Sequence, residues 1–425
     1  MNTRLPRSSR SLTAAARTAL GLAVAYATIA HPSQALAKAF AGTNTVTLTV
    51  SASAETAVSF TALPGARCVL GSGARRPLTL YADDNGTIRF DARPTPGGPV
   101  SIKLTAACDA QGRHLAVPLE LRAVPGVVHN PKPPIVADRT FHLPTGFNAL
   151  TASDADLQRY GFPPRPERLT SPDAYASWAR AVSAATIRVA PTHVLRADRI
   201  ESNYNNNIWS GIANPGKTGQ FNRIEANWYV PSVSAPSSEA PALSSFWVGL
   251  DGAGISPDVL QDGTEQDVYA FLGWTFSSYY AWYEFYPDGG SSQMSNISVN
   301  PGDEIYAEAN SCYDTHHNLL GCYYLIDITQ GESQQSYEYP ENPSNFKGNT
   351  AEYILERPDS GECPLPDYEF ATMTGMQAYD TVKKHYEQPL QDSSNTYTIA
   401  HGNDTVSAGM YFPGGTSTWF WFNYS

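Results

Sequence analysis

Ala351-Glu352-Tyr353-Ile354-Leu355-Glu356 is the stretch from which the fold is read most directly. In an extended strand alternate side chains share a face, so Glu352, Ile354 and Glu356 point one way and Tyr353 and Leu355 the other. A carboxylate on an otherwise aromatic and aliphatic strand is costly to bury without a partner, and Gln261 is one candidate. Around this stretch, Arg223 to Val230, Ser244 to Leu250, Tyr279 to Phe285 and Glu304 to Ala309 read as further short strands. They lie in a region, from about Ser202, rich in Trp, Tyr, Gly and Asn. The spacing fits a large antiparallel β-sandwich of roughly 220 residues.

Working outward, residues 43–124 also alternate in strand fashion, as in Val46-Thr47-Leu48-Thr49-Val50, Thr87-Ile88-Arg89-Phe90 and Val100-Ser101-Ile102-Lys103-Leu104. A small Ig-like β-sandwich is the simplest fold for them. No catalytic constellation occurs there, so an accessory or pro-domain role over residues 38–125 follows by elimination. Residues 126–200 read as a Pro-rich linker or pro-segment, punctuated by Pro131, Pro133, Pro134, Pro144, Pro163, Pro164 and Pro166, with one helix from Ser171 to about Val189.

At the N-terminus, Arg4, Arg7, Arg10 and Arg17 precede an apolar run from Thr18 to Ala30, and Ala35-Leu36-Ala37 offers small residues for a signal peptidase. The run is shorter than the ~20 residues of a membrane-spanning helix. Residues 1–37 are therefore expected to be a signal peptide, and the mature protein to be extracellular, or periplasmic in a Gram-negative host, without a membrane attachment.

The net charge of −12 is unevenly divided. Residues 201–425 carry 6 Lys and Arg against 28 Asp and Glu, a net of −22, while the first 200 carry +10. So acidic a unit repels nucleic acid, and its self-repulsion is relieved when carboxylates are protonated. Five cysteines in an exported chain suggest disulfides. Cys68 with Cys108 would staple the N-terminal unit and Cys312 with Cys322 would close a loop, leaving Cys363 over, although spacing alone leaves other pairings open.

Familiar catalytic signatures are missing. There is no H-E-x-x-H and no G-x-S-x-G. Asp359-Ser360-Gly361 resembles half of an aspartic-protease site, but that chemistry needs a second carboxylate copy. Neither a metal nor a cofactor is called for: His316-His317 is a loop pair whose side chains diverge, and no C-x-x-C occurs.

Five local patterns do recur in one order: Asn227-Trp228-Tyr229-Val230-Pro231, Trp247-Val248-Gly249-Leu250-Asp251-Gly252, Leu260-Gln261-Asp262-Gly263, Ala281-Trp282-Tyr283-Glu284-Phe285-Tyr286-Pro287 and Ala351 to Glu356. Their order and spacing resemble the glutamic peptidases, or eqolisins, over most of residues 201–425. Tyr353, Leu355 and Leu250 depart from the residues usual at those positions, and none removes a group the chemistry needs.

The resemblance implies a lectin-like β-sandwich catalytic domain over 201–425 and a catalytic dyad of Gln261 and Glu356. Glu356 would act as general base and then general acid, with Gln261 positioning water and stabilising the tetrahedral intermediate. Trp247, Asp251, Trp282 and Glu284 match motif positions near the cleft and are candidates for substrate contact or support of the dyad. Protein and peptide substrates and a removable pro-region are also implied. Release of the amine by an ionised Glu356 base predicts an optimum on the acid side of neutral, and the charge split predicts that the basic residues 38–200 dock on the acidic unit at neutral pH as an intramolecular inhibitor. The rival readings are a carbohydrate-binding sandwich and a glycoside hydrolase using Glu284 and Glu356; neither gives Gln261 a role.

Overall fold

A computed structural model describes residues 45–71, 77–126, 128, 143–184, 187–189, 195–196, 208–236, 241–253, 256–288, 290–358, 363–368, 371–389, 396–401, 404–411 and 417–424. The expected signal peptide, Pro131, Pro133, Pro134 and Asp359 to Gly361 lie outside the described residues. The chain is nearly all β, as the alternation predicts. Its first seven strands are β1 Val46–Ser51, β2 Thr56–Thr61, β3 Arg67–Leu70, β4 Leu78–Tyr81, β5 Thr87–Pro94, β6 Ser101–Ala110 and β7 Arg113–Val124. One sheet runs β1-β7-β6-β3-β4, and β2 pairs with β5 opposite it. Leu70, Leu80, Ile88, Leu119 and Leu121 fill the space between. Cys68 and Cys108, opposite one another on β3 and β6, form a disulfide.

Two helices follow, α1 Asp154–Arg159 and α2 Pro172–Ala184. The helix expected to run to Val189 stops earlier, because Ile187–Val189 forms a short strand, β8. Its β-branched residues favour an extended chain. A two-residue strand, β9 Leu195–Arg196, comes next.

The large sandwich is built from β10 Trp209–Pro215, β11 Phe221–Tyr229, β12 Ala242–Leu250, β13 Val259–Phe271, β14 Trp274–Tyr286, β15 Ser292–Gln293, β16 Glu304–Tyr313, β17 Leu319–Asp327, β18 Glu332–Glu338, β19 Thr350–Glu356, β20 Ala371–Asp380, β21 His385–Glu387, β22 Thr396–His401, β23 Asp404–Tyr411 and β24 Ser417–Tyr424. One sheet has the order β10-β19-β12-β13-β14. The other runs β22-β23-β24-β20-β11-β16-β17-β18-β8. Between them lie Phe246, Val248, Leu260, Phe285, Tyr353 and Leu355 from the first sheet, against Ile224, Trp228, Ile305, Leu325 and Met373 from the second. The alternation on β19 thus sends Tyr353 and Leu355 inward and leaves Glu352, Ile354 and Glu356 on the outer face of the first sheet. Cys312 and Cys322 form the second disulfide, across the β16–β17 hairpin. Cys363, outside both, is buried.

Within the segment expected to be a linker or pro-segment, residues 143–184 pack closely. Trp178 of α2 is fully buried with Leu157, Phe162, Tyr306 and Ile326, on the outer face of the second sheet. From Thr45 onward the chain forms one compact unit.

Candidate active site

Register brings the expected residues onto one face. Glu356 lies opposite Trp209 on β10 and Ser245 on β12. Gln261 on β13 lies opposite Gly249 on β12 and Glu284 on β14. Ser245 and Gly249 are an even number of positions apart, so Glu356 and Gln261 share a face, offset along the strands. Trp247 and Trp282 lie in the row between, opposite Ile354 and Gly263 respectively.

Trp247 bridges the offset. Its indole Nε1–H donates to Glu356 Oε2 at 2.7 Å. At its other end, a Cβ added to Gly249 would lie 2.9 Å from Trp247 Cζ3 and 3.2 Å from Gln261 Cβ. Gly263 is needed for the same reason: a Cβ there would sit 2.1 Å from the Phe246 carbonyl oxygen and 2.7 Å from Trp247 Cβ. The glycines of the W-V-G and L-Q-x-G patterns therefore form the floor on which the indole lies.

Each member of the expected dyad is oriented by a neighbour. Gln261 Nε2 donates to Glu284 Oε2 at 2.7 Å, and both side chains are buried. An amide nitrogen carries two hydrogens, so the second remains to donate elsewhere. Trp282 Nε1 donates to Ser245 Oγ at 3.0 Å, and Ser245 Oγ donates to the Thr264 carbonyl at 3.3 Å. That chain fixes the residue opposite Glu356.

Asp251 stands apart. It adopts φ 69°, a left-handed conformation rare for a residue with a side chain. Its Oδ2 accepts from the Lys347 and Gly348 amides at 2.5 and 2.9 Å, and its Oδ1 from the Asn349 amide at 2.7 Å. This carboxylate anchors the loop leading into β19, and so sets the register of Glu356.

Two neighbours, Trp209 and Ser245, escape the sequence reading, and a third, Glu352, is placed by it on this face without a role. Trp209 packs edge-on to Trp247, with ring centroids 5.1 Å apart and planes at 77°. Ser245 sits opposite Glu356. Glu352, on the same face of β19, accepts from the Ala253 amide at 3.2 Å. Burial pushes the Glu352 carboxyl well above its ordinary value, and the Asp251 carboxylate nearby adds to the effect. Glu352 is visible in the strand pattern, but Trp209 and Ser245 carry no local signal, since their position depends on pairing between distant strands.

Among the described residues no group of three or more His, Cys, Asp and Glu side chains could hold a metal ion. Nor is any described helix long and apolar enough to cross a membrane.

Comparison with known proteins bears on the same region. Residues 207–417 match the model of the Peptidase A4 family. Scytalidopepsin B of Scytalidium lignicola is 30% identical over 186 residues, covering 43% of this chain and 62% of that protein. Aspergillopepsin-2 of Aspergillus niger is 26% identical over 190 residues, covering 41% and 64%. The chain thus spans less than two thirds of the length of these relatives. A crystal structure of scytalido-glutamic peptidase with a transition state analog inhibitor has a TM-score of 0.40 and 24% identity, covering 51% of this chain and 98% of that one. The crystal structure of aspergilloglutamic peptidase from Aspergillus niger has a TM-score of 0.35 and 23% identity, covering 43% and 99%. Through residues 207–417, this chain belongs to the Peptidase A4 family.

Proposed function

We propose that this protein is a secreted endopeptidase that hydrolyses peptide bonds with water activated by Glu356, the resulting oxyanion being held by Gln261. The observation that carries the reading is the shared face on which both side chains lie, with Trp247 hydrogen-bonded to Glu356 in the row between them. Glu356 takes a proton from water as its oxygen attacks the peptide carbonyl carbon, and the carbonyl becomes an oxyanion. The second Nε2–H of Gln261 donates to that oxyanion while Glu284 keeps the amide in place. Protonated Glu356 then gives its proton to the departing amine as the C–N bond breaks. A carboxylate base that must also release an amine works best on the acid side of neutral.

The proposed organisation is a signal peptide over 1–37, an accessory sandwich over 38–125, a connecting segment over 126–200 and the catalytic domain over 201–425. An inhibitory contact by the N-terminal part fits β9, which pairs with β15 next to Trp282, rather than α2, which packs on the outer face of the other sheet.

The test is hydrolysis of denatured casein from about pH 2 to 7 with pepstatin present. Glu356→Gln and Gln261→Ala should each lower kcat by at least about 10³-fold with little change in melting temperature. Cleavage that persists in both variants would sink the dyad, and a retained affinity for polysaccharide without peptidase activity would favour the sugar-binding rival.

A further inference from the structure

The accessory sandwich is completed by the catalytic domain. Antiparallel pairing joins β5 to β14 from Trp274↔Pro94 to Ser277↔Asp91. Trp274 and Phe276 of β14 are fully buried in the accessory core, where Phe276 meets Phe271 and Phe90 with ring centroids 4.4 and 6.1 Å apart. Trp274 Nε1 also donates to the Pro99 carbonyl at 3.0 Å. Removing residues 45–124 would expose both rings, so this sandwich is built to stay with the catalytic sheet.

Beyond Asp91 and Ser277 the two strands splay, and β15 takes up pairing with β14 only from Trp282↔Gln293. In the fork lies a cavity of about 320 Å³, lined from the accessory side by Ser59, Arg89 and Asp91 and from the catalytic side by Tyr280, Gln293 and Asn300. That volume is within the range of small-ligand sites. Its catalytic wall is shared with the candidate active site. Tyr280 packs against the cluster of Trp209, Trp247 and Trp282, and lies opposite Glu265. Gln293, opposite Trp282, projects on the same face of the sheet as the dyad.

We propose that this cavity is a substrate subsite that takes the carboxamide side chain of an Asn or Gln in the bound polypeptide, an inference that rests on the peptidase reading above. The polar atoms select the chemistry. Arg89 Nε, a donor, and Gln293 Oε1, an acceptor, are both buried and have no hydrogen-bond partner among the described residues. A carboxamide supplies an acceptor and a donor to match.

A charged side chain fits less well. Asp83 Oδ1 accepts from the Asn85 and Thr87 amides at 2.9 and 2.8 Å, and its Oδ2 from Arg89 Nη2 at 3.0 Å, so the charges of Arg89 and Asp83 already answer one another. The remaining acid, Asp91, is pushed up to about 7 by burial and by the Glu55 carboxylate, and is neutral in the acid range. Leaving Arg89 Nε and Gln293 Oε1 against an apolar side chain would cost the hydrogen bonds they make with water, which is the basis for discrimination.

The experiment measures kcat/KM of the full-length protein, at its acid optimum, on peptide libraries randomised one position at a time. Wild type should favour Asn or Gln over Leu at one position by about tenfold. In Gln293→Met and Arg89→Met, nearly isosteric changes on different strands, that ratio should fall to about one. A purely structural defect lowers cleavage of all peptides together and leaves the ratio intact, so variants that retain it overturn the proposal. Wild type that cleaves peptides with no carboxamide preference overturns the subsite alone, whereas wild type that cleaves none of the library overturns the peptidase reading and the subsite with it.

Discussion

Trp247 shows how one side chain can organise a site without doing its chemistry. It is fully buried, its N–H is committed to Glu356, and its ring is held between Trp209 and the surface left bare by Gly249 and Gly263. The hydrogen bond fixes which carboxylate oxygen faces the indole and, on the proposed mechanism, which is left to activate water. Trp247→Phe keeps most of the packing and removes the donor. If Glu356 is the base proposed above, the expected result is a kcat lowered by about 10- to 100-fold with KM within about twofold, because an interaction that orients the base matters most in the transition state. A variant with wild-type kcat would show that Glu356 is held by other contacts. Gln261 and Glu356 are legible in the sequence because they sit in short patterns with glycines and aromatics at fixed offsets. Trp209 is not legible, because its contact with Trp247 arises only when β10 pairs with β19.

At the level of elements, the strands of the large sandwich are readable from alternation, and the tight attachment of the segment before them is not. Pro163, Pro164 and Pro166 read as breaks in structure, yet the Pro164 carbonyl accepts from Arg223 Nη2 at 2.6 Å and the Pro163 carbonyl from Trp178 Nε1 at 3.0 Å. Arg223 in turn donates to Glu308 Oε2 at 2.6 Å. Proline retains a carbonyl acceptor, so a Pro-rich stretch can cap buried donors while supplying none of its own. Residues 143–184 therefore cover a buried ionic cluster as well as Tyr306 and Ile326. A chain beginning at residue 201 should be insoluble, or melt at least about 10 °C below one beginning at residue 143, since it uncovers both apolar rings and a buried charge network. Equal melting temperatures, followed by differential scanning calorimetry, would show that the segment is only draped on the sheet.

Across the whole molecule, many carboxyls are buried in a chain whose residues 201–425 are strongly acidic, and burial moves most of them the same way. Burial pushes Glu225 up to about 8, although Arg223 lies beside it, and raises Glu308, its neighbour in the same cluster. Burial together with Glu55 brings Asp91 to about 7, and burial with Asp288 brings Asp258 to about 6. A carboxyl whose folded value is raised binds a proton more tightly folded than unfolded. Its stabilising contribution is complete below the ordinary carboxylate range and is lost as pH rises through the folded value. Stability should therefore increase on acidification from about pH 8 to about pH 4.5. The opposing case is Asp314, held down at about 2 chiefly by the Asn318 side chain, whose contribution is lost only in stronger acid. At the seam between the sandwiches, Ser277 Oγ donates to Glu55 Oε1 at 2.5 Å, with Asp91, Arg93 and Tyr279 the other ionisable groups there. Asp91→Asn removes one of the two facing acids, so its melting temperature should exceed that of wild type at pH above about 7 and converge with it in acid. Parallel melting curves for the two proteins across that range would mean that Asp91 titrates normally, and that the acid preference of the fold comes from the clusters inside the large sandwich.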